Sequence, residues 1–207
     1  TTIVPVITSI KSQKNKKRIN IYLDDRFGFG IDLDNFVLLH LKIDQVLSDE
    51  EVKKIIEKSD FQKSFEKILR FAMVRPRSLK EYKDYLKRKN IDESIHRSIF
   101  EKLEKLKLLN DEEFAKWWVD TRIAQGKSRR IMNYELGIKG VDKEIIEKVL
   151  SEVKIDEVKM AKKLLEKKAY KWNNLESRLA GLKMSQYLMV KGFGWNVVGK
   201  VVKDMLK

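Results

Sequence analysis

The chain has 207 residues, no cysteine and a formal net charge of +14. The lack of cysteine excludes disulfides and thiolate metal sites and fits a reducing compartment. The longest apolar runs, such as residues 36–39, are far shorter than the roughly 20 residues that cross a bilayer. A cytoplasmic, soluble and monomeric protein is therefore expected.

The positive charge is concentrated in two regions. Residues 61–110 carry a net +7 and residues 154–207 a net +8, whereas residues 1–60 are neutral and residues 111–153 carry −1. Such a field favours a polyanionic partner, either a nucleic acid or a protein surface rich in carboxylates. Each single cluster is equally compatible with an ordinary solvated lysine-rich surface.

The N-terminal region has the period of two that is typical of half-buried strands. This pattern predicts a small antiparallel sheet with strands at residues 3–10, 18–23 and 27–33. Residues 36–41 are expected to form a short helix. A further helix is expected to begin at Ser48, because Glu51 stands at the third position of a capping box.

From residue 60 onward the pattern is helical and repeats. Residues 78–100 match residues 128–150 at an offset of 50, and a third copy around residues 188–201 follows at an offset of 52. Ser78 aligns with Ser128 in this register. Periods of this length are typical of stacked helical modules.

The matching positions are those where helices end and begin. Asn90, Gly140 and Gly192 are expected to be helix C-caps, because asparagine and glycine tolerate left-handed backbone. Asp92 and Asp142 are expected to cap the helices that follow. Each module thus has two helices joined by a tight turn, preceded by a further helix at residues 61–74, 111–125 or about 156–172.

The predicted fold is mostly α: an elongated helical repeat of three tandem three-helix modules, preceded by a small antiparallel β/α region. The expected boundaries are 1–59 for the N-terminal region, and 60–109, 110–153 and 154–207 for the first, second and third modules.

The stretch FAKWWVDTRIAQGKSRR at residues 114–130 lies at the centre of this array. Helical geometry places Trp118 on the apolar stripe and Trp117 at its edge, so Trp118 is expected in the core and Trp117 partly exposed. Gly126 is expected to end one helix and Ser128 to cap the next. A phosphate-binding loop is rejected, because it requires a glycine where Thr121 stands and a strand before it.

No catalytic, metal or cofactor site is predicted. The two histidines, His40 and His96, lie in different regions and have no ligand pattern around them. Gly28 and Gly30 lie in the predicted hairpin and lack the third glycine of a dinucleotide fingerprint. The chain is therefore interpreted as a binding protein without enzymatic activity.

The central motif resembles that of the RecX regulators of the RecA recombinase. It runs through LLNDEEFA at residues 108–115, Thr121-Arg122, Gly126-Lys127, Glu135-Leu136 and Lys139-Gly140-Val141. Residues 187–193, YLMVKGF, are similar to the closing pattern of that family, and residues 78–91 resemble its first module. The resemblance covers most of residues 61–207.

This resemblance implies a cytoplasmic, non-enzymatic protein of DNA repair, recombination and SOS-response regulation. Such proteins bind RecA filaments on single-stranded DNA and mostly inhibit ATP hydrolysis, strand exchange and co-protease activity. Some members also contact DNA directly. The family shares the three-module architecture, and a strand-rich N-terminal segment occurs in some of its members.

Two other functions remain open from the residues alone. One is a stand-alone DNA-binding protein that uses its helix-turn-helix pairs. The apolar and acidic residues of 142–150 suit packing better than the reading of bases. The other is a helical-repeat adaptor for a different acidic partner.

The candidate contact residues for the filament or DNA are basic side chains and one aromatic. The central set comprises Trp117, Arg122, Lys127, Arg129 and Arg130. The flanking set comprises Arg75, Arg77, Lys87, Arg88, Lys171, Arg178 and Lys191. Arginine suits bidentate binding of carboxylate or phosphate, and lysine supplies a less directional charge.

Overall fold

A computed structural model of the chain describes residues 4–14 and 16–207. The described residues contain ten α-helices and a three-stranded antiparallel sheet near the N-terminus, which confirms the predicted fold class. The chain divides into two compact units. The first contains the residues up to Phe71 together with Ile91–Ile99, and the second contains Ala72–Asn90 and Phe100–Lys207. The four-part module division remains a prediction.

The sheet of the first unit has the order β1-β2-β3, formed by Ile7–Ser12, Arg18–Leu23 and Arg26–Asp32. Alternate residues such as Ile19, Ile21 and Ile31 are buried, as their period of two predicts. The predicted first strand at residues 3–10 is shifted. Residue 3 lies outside the described residues, and Pro5 has no amide proton to donate to a sheet ladder.

Two helices of the N-terminal half differ from their predicted bounds. Helix α1, Leu33–Leu38, begins before residue 36 because the Asp32 carboxylate accepts a hydrogen bond from the Asn35 amide and caps it there. Helix α2 is continuous over Asp49–Met73. A separate helix at 61–74 was wrong, because no glycine or proline interrupts α2. The capping box of Ser48 and Glu51 is confirmed.

The remaining helices follow the repeat. They are α3 Leu79–Arg88, α4 His96–Lys105, α5 Asp111–Ala124, α6 Arg129–Ile138, α7 Lys143–Glu152, α8 Glu157–Glu166, α9 Ser177–Val190 and α10 Trp195–Met205. Helix α8 ends earlier than the predicted residue 172, and a short 3-10 turn, Ala169–Lys171, follows it. The turn keeps Trp172 buried in the core of α8, α9 and α10.

The predicted helix ends in the repeat are confirmed. Asn90, Gly140 and Gly192 have positive φ angles of 48°, 75° and 89°. Asp142 accepts a hydrogen bond from the Glu144 amide at the start of α7, and Asp92 likewise accepts one from Ser94. Local sequence therefore defines where these helices stop and restart.

Helices α5, α6 and α7 share one apolar core, and α8, α9 and α10 share another. Trp118 is 8% exposed within the first of these cores, as its position on the apolar stripe predicts. Trp117 is partly buried against the same core. Of the central candidates, Arg122, Arg129 and Arg130 lie near the ends of α5 and α6, which pack in the first of these cores.

Candidate functional site

The predicted contact residues around Gly126 lie where α5 ends and α6 begins. Gly126 has a φ of 67°, and a Cβ there would lie 2.7 Å from a methyl carbon of Leu164 in α8. Glycine is thus needed both for the turn and for the approach of α8. Ser128 then caps α6 by accepting a hydrogen bond from the Ile131 amide. This turn carries Lys127 at its centre.

Arg122 is engaged within the fold. Its Nε donates to the Glu135 carboxylate, which also accepts a hydrogen bond of 3.0 Å from Trp118 Nε1. The guanidinium lies over the Trp118 ring at 4.0 Å, and its side chain is 19% exposed. A cation above an indole face and beside a carboxylate is doubly stabilised. Arg122 therefore stabilises the packing of α5 against α6.

Arg129 and Arg130 are adjacent in sequence but have different surroundings. The Arg129 guanidinium donates to the carbonyl oxygens of Leu150 and Val153 at 2.6 and 3.2 Å, where α7 ends. Arg130 is exposed, and its guanidinium has no hydrogen bond or ion pair within residues 4–14 and 16–207. Of this pair, Arg130 is the one whose charge is available to a partner.

Arg129 and Arg130 line one side of an open cavity of about 540 Å³. Its other lining residues include Asn133 and Leu150, with Gly192 from the turn after α9. The cavity thus lies between the α6–α7 pair and the end of α9. It holds acidic side chains as well as basic ones, namely Glu147 and Glu157.

Arg75 and Trp117 form a second internal cluster. The Arg75 guanidinium makes a bidentate contact of 2.8 and 2.9 Å with the Glu81 carboxylate and lies 5.1 Å from the centre of the Trp117 ring. Arg77 is half-buried, and burial, reinforced by the charge of Arg75, lowers the pKa of its guanidinium. This cluster packs α5 against the start of α3.

The other flanking candidates lie at separate places. Lys87 and Arg88 are exposed at the end of α3, Lys171 is exposed on the 3-10 turn, and Arg178 is exposed on the first turn of α9. Exposure leaves their charges free for solvent or a partner. The structure does not bring these four side chains together with the central set.

Lys191 does meet the central set. Its Nζ donates a hydrogen bond of 2.9 Å to the carbonyl oxygen of Gln125 at the end of α5. Burial, followed by the charges of Lys127 and Lys168, lowers the pKa of its ammonium. Lys168 was not among the predicted residues, because it lies in a lysine run whose members the sequence does not distinguish.

A contact between the start of one helix and the end of another occurs twice in the second unit. At the first junction the start of α3 meets the end of α6, and Ser78 Oγ donates to the Lys139 carbonyl oxygen at 2.8 Å. At the second junction the start of α6 meets the end of α9, and the Ser128 amide donates to the Lys191 carbonyl oxygen at 3.0 Å. The two junctions use equivalent positions of the repeat.

Sequence reasoning missed the most exposed tryptophan. Trp195, the first residue of α10, is 72% exposed, whereas Trp117 is only partly exposed. A detectable signal exists: Trp195 precedes the apolar positions Val197, Val198, Val201 and Val202, which form the buried side of α10. An aromatic ring outside that stripe is available for contact with a partner.

The described residues contain no group of three acidic or histidine side chains arranged to hold a metal ion. None of the described helices is both long and apolar enough to cross a membrane.

Two family models match the chain. The RecX N-terminal domain matches residues 5–48, which include the sheet, and the second three-helix domain of RecX matches residues 110–150, which include α5, α6 and most of α7. The second match contains all five central candidates, namely Trp117, Arg122, Lys127, Arg129 and Arg130. The matched segments thus include both the N-terminal sheet and the central candidate surface.

Individual proteins match over nearly the whole chain. The regulatory protein RecX of Bacillus licheniformis is 35% identical over 97% of this chain and 78% of its own length. The regulatory protein RecX of Bacillus subtilis is 34% identical over 98% of this chain and 78% of its own length. A crystal structure of a regulatory protein RecX covers 97% of this chain and 100% of its own, with a TM-score of 0.67 and 26% identity.

Proposed function

The chain belongs to the RecX family of regulatory proteins, and from this premise we propose that it is a non-enzymatic regulator of RecA filaments on single-stranded DNA. In this proposal it binds the assembled filament and inhibits ATP hydrolysis, strand exchange and co-protease activity. The observation that carries the proposal is a cationic surface in which Lys127, Arg130 and Lys191 lack carboxylate partners within the described residues.

The charge of this surface suits a filament that combines phosphates with acidic protein groups. Unpaired cations attract a polyanion without first breaking internal ion pairs, so their full charge is available for association. Lys127 and Arg130 lie on the turn before α6 and on its first residues, which two apolar cores support. A rigid support lowers the entropy cost of binding.

The proposed contacts differ from the full set of predicted candidates. Lys127, Arg130 and Lys191 form the primary surface, which we call the central cationic surface. Further contacts come from exposed side chains elsewhere in the second unit, namely Lys87, Arg88, Lys171, Arg178 and Trp195. In contrast, Arg75, Arg122 and Arg129 stabilise the fold and do not contact the filament, because their guanidinium groups already bind internal acceptors.

Binding to duplex DNA through a helix-turn-helix pair has less support. In the central pair, α7 buries Ile146, Val149 and Leu150 against the core. Its exposed residues include Glu144, Glu147 and Glu152, which a DNA groove would repel. This charge pattern favours a role for α7 in packing within the module.

The proposal is tested by measuring ATP hydrolysis by RecA filaments on single-stranded DNA while the purified protein is added. We expect hydrolysis to fall as the protein approaches stoichiometric amounts. The Arg130→Ala variant should require a higher concentration for the same effect, whereas a Lys203→Ala variant on α10 serves as a matched control. Unchanged hydrolysis at stoichiometric wild-type protein would refute the proposal.

A further inference from the structure

The first junction contains an anion that the fold itself supplies. The Glu81 carboxylate receives the bidentate guanidinium of Arg75 and, from the end of α6, the ammonium of Lys139 at 2.7 Å. The side chain of Glu81 is only 12% exposed. One buried carboxylate thus satisfies the positive charges of both sides of this junction.

The second junction has the cation but lacks the carboxylate that corresponds to Glu81; its Glu157 carboxylate accepts a hydrogen bond from the Arg129 amide instead. At the repeat offset of 50, Glu81 corresponds to Ile131 and Arg75 corresponds to Gln125, and at the offset of 52, Lys139 corresponds to Lys191. The Lys191 ammonium donates to the backbone oxygen of Gln125. An ammonium has three donors, so two remain for another acceptor.

Two more lysines lie close to this ammonium. Lys127 is in the turn whose next residue, Ser128, donates its amide to the Lys191 carbonyl oxygen. Lys168 extends its Nζ to 4.4 Å from the ring centre of Tyr187, one turn before Lys191 on α9. Both side chains are half-buried.

None of these three lysines forms an ion pair with a carboxylate in the part of the chain that the structure describes. The lowered pKa of Lys191 is the electrostatic consequence, since burial and the two neighbouring charges disfavour its protonated form. A bound anion would relieve this repulsion. The second junction therefore resembles the first in its lysine and its helix contact. A bound anion would occupy the position that the Glu81 carboxylate has at the first junction.

We propose that Lys127, Lys168 and Lys191 form a binding site for a backbone phosphate of single-stranded nucleic acid. This inference rests on the proposed function. It identifies the DNA backbone as the filament component that Lys127 and Lys191 of the central cationic surface contact, together with the neighbouring Lys168. The phosphate takes the role at the second junction that Glu81 has at the first.

The choice of phosphate over a protein carboxylate follows from the donors. The carboxylate of the first junction is held by the planar fork of Arg75, which matches two carboxylate oxygens. The second junction has no such fork, because Gln125 stands there. Its three ammonium groups are compact point charges, which suit the tetrahedral oxygens of a phosphate.

The test is equilibrium binding of a fluorescent oligothymidylate to the full chain, measured by anisotropy over a series of salt concentrations. We expect Lys191→Met and Lys168→Met each to weaken binding about five- to tenfold and to reduce the salt slope by about 0.7, the value for one lost phosphate contact. Lys203→Met, an exposed lysine of α10, is the matched control and should bind as the wild type does. Equal loss in all three variants would overturn the inference.

A second variant tests the correspondence between the junctions. Ile131→Glu places a carboxylate at the position of Glu81, so it should fill the site internally and weaken oligonucleotide binding as Lys191→Met does. Circular dichroism establishes that each variant is folded. If a folded Ile131→Glu variant binds with wild-type affinity, the correspondence is wrong.

Competition by polyglutamate distinguishes the two kinds of anion. We expect polyglutamate to displace the oligonucleotide only at much higher charge concentration, whereas equal or stronger competition would contradict a phosphate site. ATP hydrolysis by RecA filaments is measured separately on the same wild-type protein. Inhibition that persists while Lys191→Met retains full oligonucleotide affinity would refute this site alone. Lysine-dependent oligonucleotide binding without inhibition would refute the regulatory function alone.

Discussion

Each of the two junctions has a hydrogen bond from a serine to a lysine carbonyl oxygen, but the junctions differ in their charges. In both, the start of one helix meets the Lys-Gly turn at the end of another, and a serine cap, Ser78 or Ser128, bonds to the lysine carbonyl oxygen. Among the described residues, a carboxylate pairs with the lysine of the turn only at the first junction, where Glu81 binds Lys139. The repeat therefore determines the contact between the helix ends. The side chains at each junction determine whether its lysine has an internal carboxylate partner or can bind a ligand.

Gly140 and Gly192 lie where neighbouring atoms leave no room for a side chain, whereas the corresponding Asn90 has no such restriction. Asn90 also has positive φ but is exposed. At Gly140 a Cβ would lie 2.8 Å from Lys80 Cβ, and at Gly192 it would lie 2.2 Å from Ile131 Cγ1. Glycine at the junctions therefore permits close approach as well as left-handed backbone.

The largest expected effect is that of Gly192→Ala. The added methyl group meets Ile131 and the hydroxyl of Ser128 at a positive φ, so we expect a loss of about 3 kcal/mol or more in the free energy of unfolding. Gly140→Ala should cost less, because the added methyl group would lie 2.8 Å from Lys80 Cβ, a milder overlap than the 2.2 Å at Gly192. Urea denaturation of both variants measures the order, and a reversed order would contradict the difference between the junctions.

The next effect is that of Glu81→Gln, which removes the carboxylate of the first junction. Arg75 and Lys139 would then be left without their shared anion, so we expect a loss of about 2–3 kcal/mol in stability. Glu112→Gln is a matched control, because Glu112 also pairs with two lysines but its side chain is 31% exposed, against 12% for Glu81. Similar losses in the two variants would show that burial at the junction has no special role.

The same carboxylate predicts a dependence of stability on pH. The ion pairs with Arg75 and Lys139 outweigh burial and lower the pKa of Glu81 from 4.5 to about 2. Its contribution is therefore present above pH 4.5 and is lost as the pH falls towards 2. Burial raises the pKa of Asp111 at the same junction, which partly opposes this loss.

Chemical denaturation of the wild type and of Glu81→Gln between pH 6 and pH 2 measures this contribution. The difference in unfolding free energy between the two proteins should stay constant down to about pH 4.5 and then shrink as the pH falls towards 2. A constant difference over this range would mean that the Glu81 charge does not stabilise the junction.

The smallest effect on stability is expected for Arg130→Ala. Its exposed guanidinium has no described partner, so stability should change by less than about 0.5 kcal/mol while filament binding weakens. Arg129→Ala is the contrasting neighbour, because it removes hydrogen bonds to the end of α7. Thermal unfolding and filament binding, measured on both variants, separate the two roles.

Periodicity and cap residues predicted most of the fold. The sheet and the repeat follow from the periodicity of apolar residues. The helix ends at Asn90, Gly140 and Gly192 follow from the tolerance of asparagine and glycine for left-handed backbone. The bounds of α2 were less predictable, because the repeat suggested a separate helix from residue 61, whereas no glycine or proline interrupts the helix there.

The candidate surface was less predictable than the fold. The sequence shows that Arg122, Arg129 and Arg130 are close together. Only the structure shows that Arg122 binds Glu135 and that Arg129 binds the end of α7, which leaves the guanidinium of Arg130 available. The proximity of Lys168 to Lys191 likewise depends on how α8 and α9 pack. Long-range packing, which no local pattern encodes, decides which charges are available.

We propose that the protein binds RecA filaments through the central cationic surface. The most direct measurement is equilibrium binding of the fluorescently labelled chain to preformed filaments on single-stranded DNA over a range of salt concentrations. We expect saturable binding that weakens with salt, and a Lys127→Ala/Arg130→Ala double variant that binds more weakly with a shallower salt dependence. Wild-type affinity and salt dependence in that folded double variant would contradict the account.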